Sequence, residues 1–432
     1  MKFIHFGCWN NTNDGKLEDV MDKLKIHLQE EKNDFIIIAG DNYYPKKIKE
    51  GKEGKTKIIY PTKLKNGFDL LPKGIKINMI LGNHDLETNL NGDAIKIREE
   101  GKEEGKEEVE KDCFILTEEL EKTKNSNIKY VVWSSKIVEE HTLILMIDTS
   151  IYTGDAEDYL SCYQKMTTSL NTDNTTVDNI RTQQNEFIKT SIEQNPHIQN
   201  IIFVGHHPIV YVKNKKEKDK KDKKDKKDKE KDKEKDKEKD KDKEKDKEKD
   251  KEKDKEKEKE KEKKNITTSD IYSNFIEVLK SVCTEVKKNY YYLCADLHLY
   301  QQGTIKIGNI KIEQYIVGTG GTKLDDDILL KKEENESKEN ELKIFEQNGK
   351  YIIYDTKYGE ITYTIREYQH NYGFLQCSIQ SNIQEFKFIR VPEMPETVFN
   401  FSKGGYQKRK TMKKRKLKQK KTTQKRKRKL QR

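Results

Sequence analysis

Short, continuously apolar runs that stop at a glycine followed by Asp, Asn or His recur along this 432-residue chain. Phe35-Ile36-Ile37-Ile38-Ala39 ends at Gly40-Asp41-Asn42, and Ile77-Asn78-Met79-Ile80-Leu81 ends at Gly82-Asn83-His84-Asp85. Ile201-Ile202-Phe203-Val204 ends at Gly205-His206-His207-Pro208, and Tyr291-Tyr292-Leu293-Cys294 runs into Asp296 and His298. Leu143 to Ile147 stops at Asp148-Thr149, and Gln314 to Val317 at Gly318-Thr319-Gly320-Gly321. Runs this short and apolar throughout read as strands buried on both faces, the pattern of a parallel sheet covered by helices. Helical spacing falls between them, in Leu17, Val20, Met21, Leu24 and Leu28, around Val177 to Ile192, and in Phe275, Val278, Leu279 and Val282. With Lys2 to Phe6 and Tyr130 to Trp133 as further strands, the alternation predicts an α/β fold with at least partly parallel sheets. Ligands bind beyond the carboxyl ends of strands in such sheets. A solvated loop would explain one Gly-Asp-Asn; four strand ends that each offer an oxygen or imidazole donor predict a site.

Composition enters once two biased segments are set aside. The net charge of +11 comes from 88 Lys+Arg against 77 Asp+Glu. Residues 213–264 are Lys, Asp and Glu apart from Asn214, and residues 403–432 hold 17 Lys or Arg with no acid. What remains is acidic and apolar enough for one sizeable core, which excludes a wholly disordered chain and one basic throughout. The chain is read as a single catalytic domain over 1–401, interrupted at 213–264 and followed by a basic tail over 402–432. In the insertion, residues four apart mostly share a sign and repel, so a hydrated disordered segment is expected. It reads as an insertion without a task, the sharper alternative being control of access to the site. Arg98 to Asp112 and Lys331 to Lys343 read as surface loops. The tail is drawn to polyanions such as nucleic acid by counterion release, with nuclear import and acidic membranes as competing readings. No transmembrane segment is expected, because no run of 18 apolar residues exists, and the start lacks the apolar run of a secretory signal. Cys8, Cys113, Cys162, Cys283, Cys294 and Cys377 show no paired spacing and read as reduced thiols of an intracellular protein, in cytoplasm or nucleus, or in a virion were the chain viral.

Asp41, Asn83, His206 and His298 form a mixed O/N set of the kind that holds Mn, Fe or Zn in open sites. A carboxylate shared by two cations roughly 3.5–4 Å apart suits phosphoester hydrolysis. The Gly40-Asp41-Asn42-Tyr43-Tyr44, Gly82-Asn83-His84-Asp85, Gly205-His206-His207-Pro208 and Ala295-Asp296-Leu297-His298 segments resemble the successive blocks of the calcineurin-like metallophosphoesterases. Within them the chain most resembles the small, animal-type purple acid phosphatases. Tyr44, Asp148-Thr149, Gln184 with Phe187, and Val317-Gly318-Thr319-Gly320-Gly321 add to the resemblance, which runs from about Lys2 to Asp327.

The resemblance implies a four-layer α/β/β/α sandwich of two mixed sheets flanked by helices, with the C-terminal strands completing one sheet. It implies two metal ions, Fe with Fe, Zn or Mn, and a metal-bound hydroxide that attacks a phosphomonoester. Asp41 would bridge the ions, Tyr44 and His298 would hold the ferric-type one, and Asn83 and His206 the divalent one. His84 would steer the phosphate and protonate the leaving group, a role suited to an imidazole near neutral pH. Two positions depart from the family. Cys8, in Gly7-Cys8-Trp9-Asn10, and Asp296 each stand where the family places another ligand. Both can coordinate, the thiolate Zn or Fe and the carboxylate Mn, Mg or Fe.

Plainer readings stand beside these. Cys8 could be a small buried hydrophobe and Asp296 a turn or helix cap. His207 packs beside His206 or touches the substrate phosphate. His5, His27, His141, His197 and His370 read as ordinary histidines, and no P-loop or dinucleotide fingerprint occurs. A phosphodiesterase or nuclease, for which the tail argues, and a catalytically silent binder of phosphate or nucleic acid, for which Cys8 and Asp296 argue, remain the alternatives to a phosphomonoesterase.

Overall fold

The computed structural model describes residues 1–11, 15–44, 46–50, 55–60, 67–87, 95–99, 108–109, 127–131, 134–160, 162–163, 176–212, 266–269, 271–325, 350–355, 359–380, 383–391 and 398–400. The insertion at 213–264 and the tail after 402 lie outside these residues. In chain order the main elements are β1 (Lys2–Phe6), α1 (Leu17–Glu30), β2 (Phe35–Ala39), β3 (Lys76–Ile80), α2 (Asn83–Glu87), β4 (Ile128–Val131), β5 (Ser134–Glu139) and β6 (Thr142–Ile147). Then come α3 (Val177–Glu193), β7 (Asn200–Val204), α4 (Tyr272–Val282), β8 (Asn289–Cys294), β9 (Tyr300–Ile307), β10 (Ile310–Val317), β11 (Lys350–Asp355), β12 (Gly359–Gln369), β13 (Gly373–Gln380), β14 (Ile383–Arg390) and β15 (Val398–Asn400).

The first sheet runs β14-β13-β1-β2-β3-β4, with β1 to β4 parallel and β13 and β14 antiparallel. The second runs β11-β12-β9-β10-β8-β7-β6-β5, with β15 beside β12. Its centre, β6, β7, β8 and β10, is parallel, and antiparallel strands finish both edges. The sheets pack through alternate residues. Met146, Val204, Leu293 and Val317 of the second share a fully buried cluster with Phe3 and Ile37 of the first. The other faces are covered by helices, which is why strands such as β2 and β6 are buried along their whole length. Ile180 and Ile188 of α3 and Phe275 and Leu279 of α4 pack on Leu143, Leu145, Phe203 and Tyr292. Leu17, Val20, Met21 and Leu24 line the buried side of α1, and its His27 hydrogen-bonds Gln376 of β13. The expected four layers, α/β/β/α, are the observed ones.

Local chemistry fixes the ends of α3. Thr176 caps it by accepting the Asn179 N–H at 3.2 Å, the side-chain to backbone bond that satisfies a free N–H of the first turn. Among the described residues, no helix is long and apolar enough to cross a membrane.

Three expectations change. The C-terminal strands do not complete a single sheet: β11, β12 and β15 extend the second, and β13 and β14 extend the first. Glu99 and Glu108, inside the stretch read as a surface loop, belong to a separate four-stranded sheet of Lys46–Glu50, Lys55–Tyr60, Ile95–Glu99 and Glu108–Val109. The cysteines are not all reduced. Cys162 is disulfide-bonded, whereas Cys8, Cys283, Cys294 and Cys377 are free; Cys113 lies outside the described residues. Spacing along the chain carries no trace of such a pairing, and with it the thiol pattern no longer argues for a reducing setting.

Candidate metal centre

Each donor side chain follows the carboxyl end of a parallel strand. Cys8 follows β1, Asp41 follows β2, Asn83 and His84 open α2 after β3, His206 and His207 follow β7, and Asp296 and His298 follow β8. Cys8 (φ 52°), Asp41 (φ 53°) and Asp296 (φ 57°) take left-handed backbone, and the only other described non-glycine residue to do so is Glu140. Such a residue costs about 1–3 kcal/mol and persists where its surroundings over-determine it, most often at functional sites. Glycines let the strand ends approach. A Cβ on Gly82 would lie 2.4 Å from both the N and Oδ1 of Asp41, and one on Gly40 (φ 80°) 2.6 Å from His206 Nδ1.

Asp41 is the hub. Its Oδ2 accepts from Tyr44 OH at 2.6 Å and from the Cys8 thiol at 3.7 Å. Its Oδ1 accepts the His84 backbone N–H at 3.1 Å and lies 3.2 Å from His206 Nε2. The remaining donors divide the same way. His298 Nε2 is 3.2 Å from Tyr44 OH. Asn83 Oδ1 and Asp296 Oδ1 lie 3.1 and 3.9 Å from His206 Nε2. The donor atoms of Cys8, Asp41 and His298 all fall within 4.8 Å of one another. The fold thus brings together the whole set expected to hold metal: Cys8, Asp41, Tyr44, Asn83, His206, Asp296 and His298. Thiol, phenol, imidazole, carboxylate and amide oxygen converging at this spacing fit one or two transition-metal ions.

The electrostatics follow from burial around one carboxylate. Burial works against the charge on Asp41, but His206 and His84 hold its pKa well below the usual range. Burial likewise opposes protonation of His206, yet Asp41 outweighs it and raises the imidazole to about 10. Cys8 and Tyr44 are pushed up, first by burial and then by the Asp41 charge. Without metal, therefore, Asp41 is an anion ringed by protonated donors.

A supporting layer aims these groups. His206 Nδ1 donates to Ala39 O at 2.6 Å, which turns Nε2 to the Asp41 side. Thr149 Oγ1 accepts the N–H groups of His206 and His207 and bonds His207 Nδ1 at 2.9 Å. The His207 ring stands edge-on to His206 at 4.9 Å, the packing arrangement read for it. The His84 ring packs on Tyr44 at 4.8 Å and is partly exposed.

Residues without an assigned role in the sequence reading complete this layer. Asp85 accepts from the N–H of Asn42 and of Gly82, both at 2.7 Å, and from the Asn42 amide at 2.8 Å, locking the ends of β2 and β3 together. Trp9 Nε1 donates to Asn42 Oδ1 at 3.1 Å. Asp325 accepts the His298 N–H through its carboxylate and donates its own N–H to His298 O, both at 3.0 Å. The quoted motifs contain Asp85 and Asn42, so both were findable; Asp325 sits past the glycine loop in a stretch with no pattern.

Comparison with known proteins adds the following. No curated protein matches. Among solved structures the chain is similar to GAP50, the anchor in the inner membrane complex of Plasmodium, at 12% identity and a TM-score of 0.42, covering 95% of this chain and 90% of that one. It is also similar to purple acid phosphatase PPD1 from yellow lupin (Lupinus luteus) seeds, at 10% identity and a TM-score of 0.45, covering 93% of this chain and 52% of that one. The family model for calcineurin-like phosphoesterase matches residues 1–232. With strand ends that converge as described and a match over more than half its length, the chain belongs to the calcineurin-like phosphoesterase family.

Proposed function

We propose that the chain is a dinuclear-metal phosphoester hydrolase of the purple acid phosphatase kind, acting on phosphomonoesters. One observation carries the reading: the two oxygens of Asp41 face separate donor groups, Cys8, Tyr44 and His298 about Oδ2 and Asn83, His206 and Asp296 about Oδ1. A carboxylate so placed can serve two ions at once. Ions held there would neutralise phosphoryl oxygens and activate the attacking water. His84 has the surroundings of a positioning and proton-donating group: its N–H is fixed on Asp41, and its partly exposed ring leans on Tyr44. An imidazole there can orient a phosphate and protonate the leaving oxygen near neutral pH. Buried neighbours hold His206 and Asp41 in place before any substrate arrives, which keeps reorganisation during the reaction small.

The test is hydrolysis of an aryl phosphate by the full chain reconstituted with Fe, Mn or Zn from acid to neutral pH. Metal-dependent turnover is expected. Asn83→Ala should lower it by more than the roughly 10–100-fold that losing an outer-shell partner costs. No turnover with any metal, from folded protein, would move the function to binding, the reading that Cys8 and Asp296 favour. A diester cleaved in preference to a monoester would select the nuclease-like alternative.

A further inference from the structure

The donors on the two sides of Asp41 are chemically unlike. Around Oδ2 stand a thiol, a phenol and an imidazole; around Oδ1 stand an amide oxygen, an imidazole and a carboxylate. Thiolates select soft ions, whereas carboxylate and amide oxygens suit Mg and Mn. The sulfur side is compact: the donor atoms of Cys8, Asp41 and His298 lie within 4.8 Å of one another, and Tyr44 OH hydrogen-bonds Asp41 Oδ2 at 2.6 Å. Cys8 Sγ to Asp41 Oδ2 is 3.7 Å, and Tyr44 OH to His298 Nε2 is 3.2 Å.

A buried cysteine acting as a small hydrophobe would explain the burial of Cys8. It leaves unexplained a left-handed backbone (φ 52°) that brings Sγ to a buried carboxylate. Gly318 packs against the loop that carries Asp296 and His298: a Cβ there would clash with Leu297 O at 2.0 Å while only touching Sγ, at 3.4 Å.

We infer that the two halves of the centre are selective for different ions, with Cys8 making its half a site for a thiophilic ion and the Asn83, His206 and Asp296 half taking a harder one. This rests on the dinuclear reading, but its test needs no turnover. The full chain is stripped of metal and titrated with Co²⁺, following bound metal per chain and near-ultraviolet absorption. Wild type should hold two Co²⁺ and show thiolate-to-cobalt charge transfer. That band should vanish in Cys8→Ser and in Cys8→Asp, although Cys283, Cys294 and Cys377 keep their thiols. Asp is the better tolerated of the two in left-handed backbone, so Cys8→Asp should still hold both ions. Its preference for Cd²⁺ over Mn²⁺ should fall by at least the roughly 10-fold that losing an outer-shell partner costs. Circular dichroism identifies a variant that fails to fold; Cys8→Asp then carries the test alone. Two ions bound with the same absorption in all three proteins, or an unchanged Cd²⁺ to Mn²⁺ preference in Cys8→Asp, would overturn the inference and leave the dinuclear reading in place. Wild type that holds no Co²⁺ would overturn both.

Discussion

Asp148 sits at the end of β6, fully buried, and takes no part in the donor cluster. Its Oδ1 accepts the Ser150 N–H at 2.8 Å and its Oδ2 the Tyr163 hydroxyl at 2.5 Å, while Gln184 bonds its backbone N–H and C=O at 3.0 and 2.9 Å. Burial raises its pKa to about 6, more than these hydrogen bonds lower it. Because the folded value lies above the unfolded one, near 4, the native state holds the extra proton between them. Stability should therefore fall as pH rises from about 4 to 6 and then level off, with a share on the order of 2–3 kcal/mol from this group. Asp148→Asn should remove that share of the slope, as urea midpoints at pH 4.5 and 7 for both proteins would reveal; parallel pH profiles would refute it. Asp148-Thr149 was visible in the sequence as a strand-end pair. That Asp148 supports the loop while Thr149 aims two histidines was not, since Tyr163 and Gln184 reach Asp148, and His206 and His207 reach Thr149, only through the fold.

At the scale of elements, the approach of β2 to β3 depends on the missing side chain of Gly82. A Cβ there would sit 2.4 Å from Asp41 and 2.9 Å from the His206 ring, so strand ends or ligands must shift. Gly82→Ala should cost about 1–3 kcal/mol, the range of overpacking in a close-packed interior, and should weaken metal binding at the same time. Thermal unfolding and metal stoichiometry on one preparation would check both; a loss of stability with full metal binding would show that the approach is structural only. The apolar strands were legible because both faces are covered. β9 was not, because Gln301, Gln302 and Gly303 interrupt its pattern. Gln301 is nonetheless fully buried and bonds Val212 N and O at 3.1 Å each, doing for the neighbouring segment what a further strand would do. β5 was missed for the opposite reason: it is an edge strand, partly exposed and polar.

For the whole molecule, the insertion meets the fold at one narrow gate. Val210–Val212 pairs antiparallel with Ile266–Thr268, in register Val212↔Ile266, so the chain leaves and returns at paired residues. Ile209 N–H and Val210 O are held by the side chain of Gln314 at 2.8 and 2.6 Å, tying this hairpin to β10. Replacing residues 213–265 with a turn of about five residues should leave the donor cluster intact. Each halving of loop length recovers about 0.6 kcal/mol of closure entropy, so stability should rise by roughly 2 kcal/mol. Denaturant unfolding of the shortened chain, with metal bound per chain as the control, tests this; lost metal would mean that the insertion itself builds the site.

Sequence alone determined the order of the strands that end in donors, the placement of those donors, and the family those blocks resemble, because each is written in a few adjacent residues. Tertiary structure decided the rest. It divided the C-terminal strands between two sheets, bonded Cys162 through a disulfide, and turned Cys8 from an ambiguous buried residue into a neighbour of Asp41. It also set which oxygen of Asp41 faces which donors. The reason is physical: the direction of a strand-end side chain depends on left-handed turns at Cys8, Asp41 and Asp296. Those conformations are held by neighbours far along the chain, which no local run of residues records.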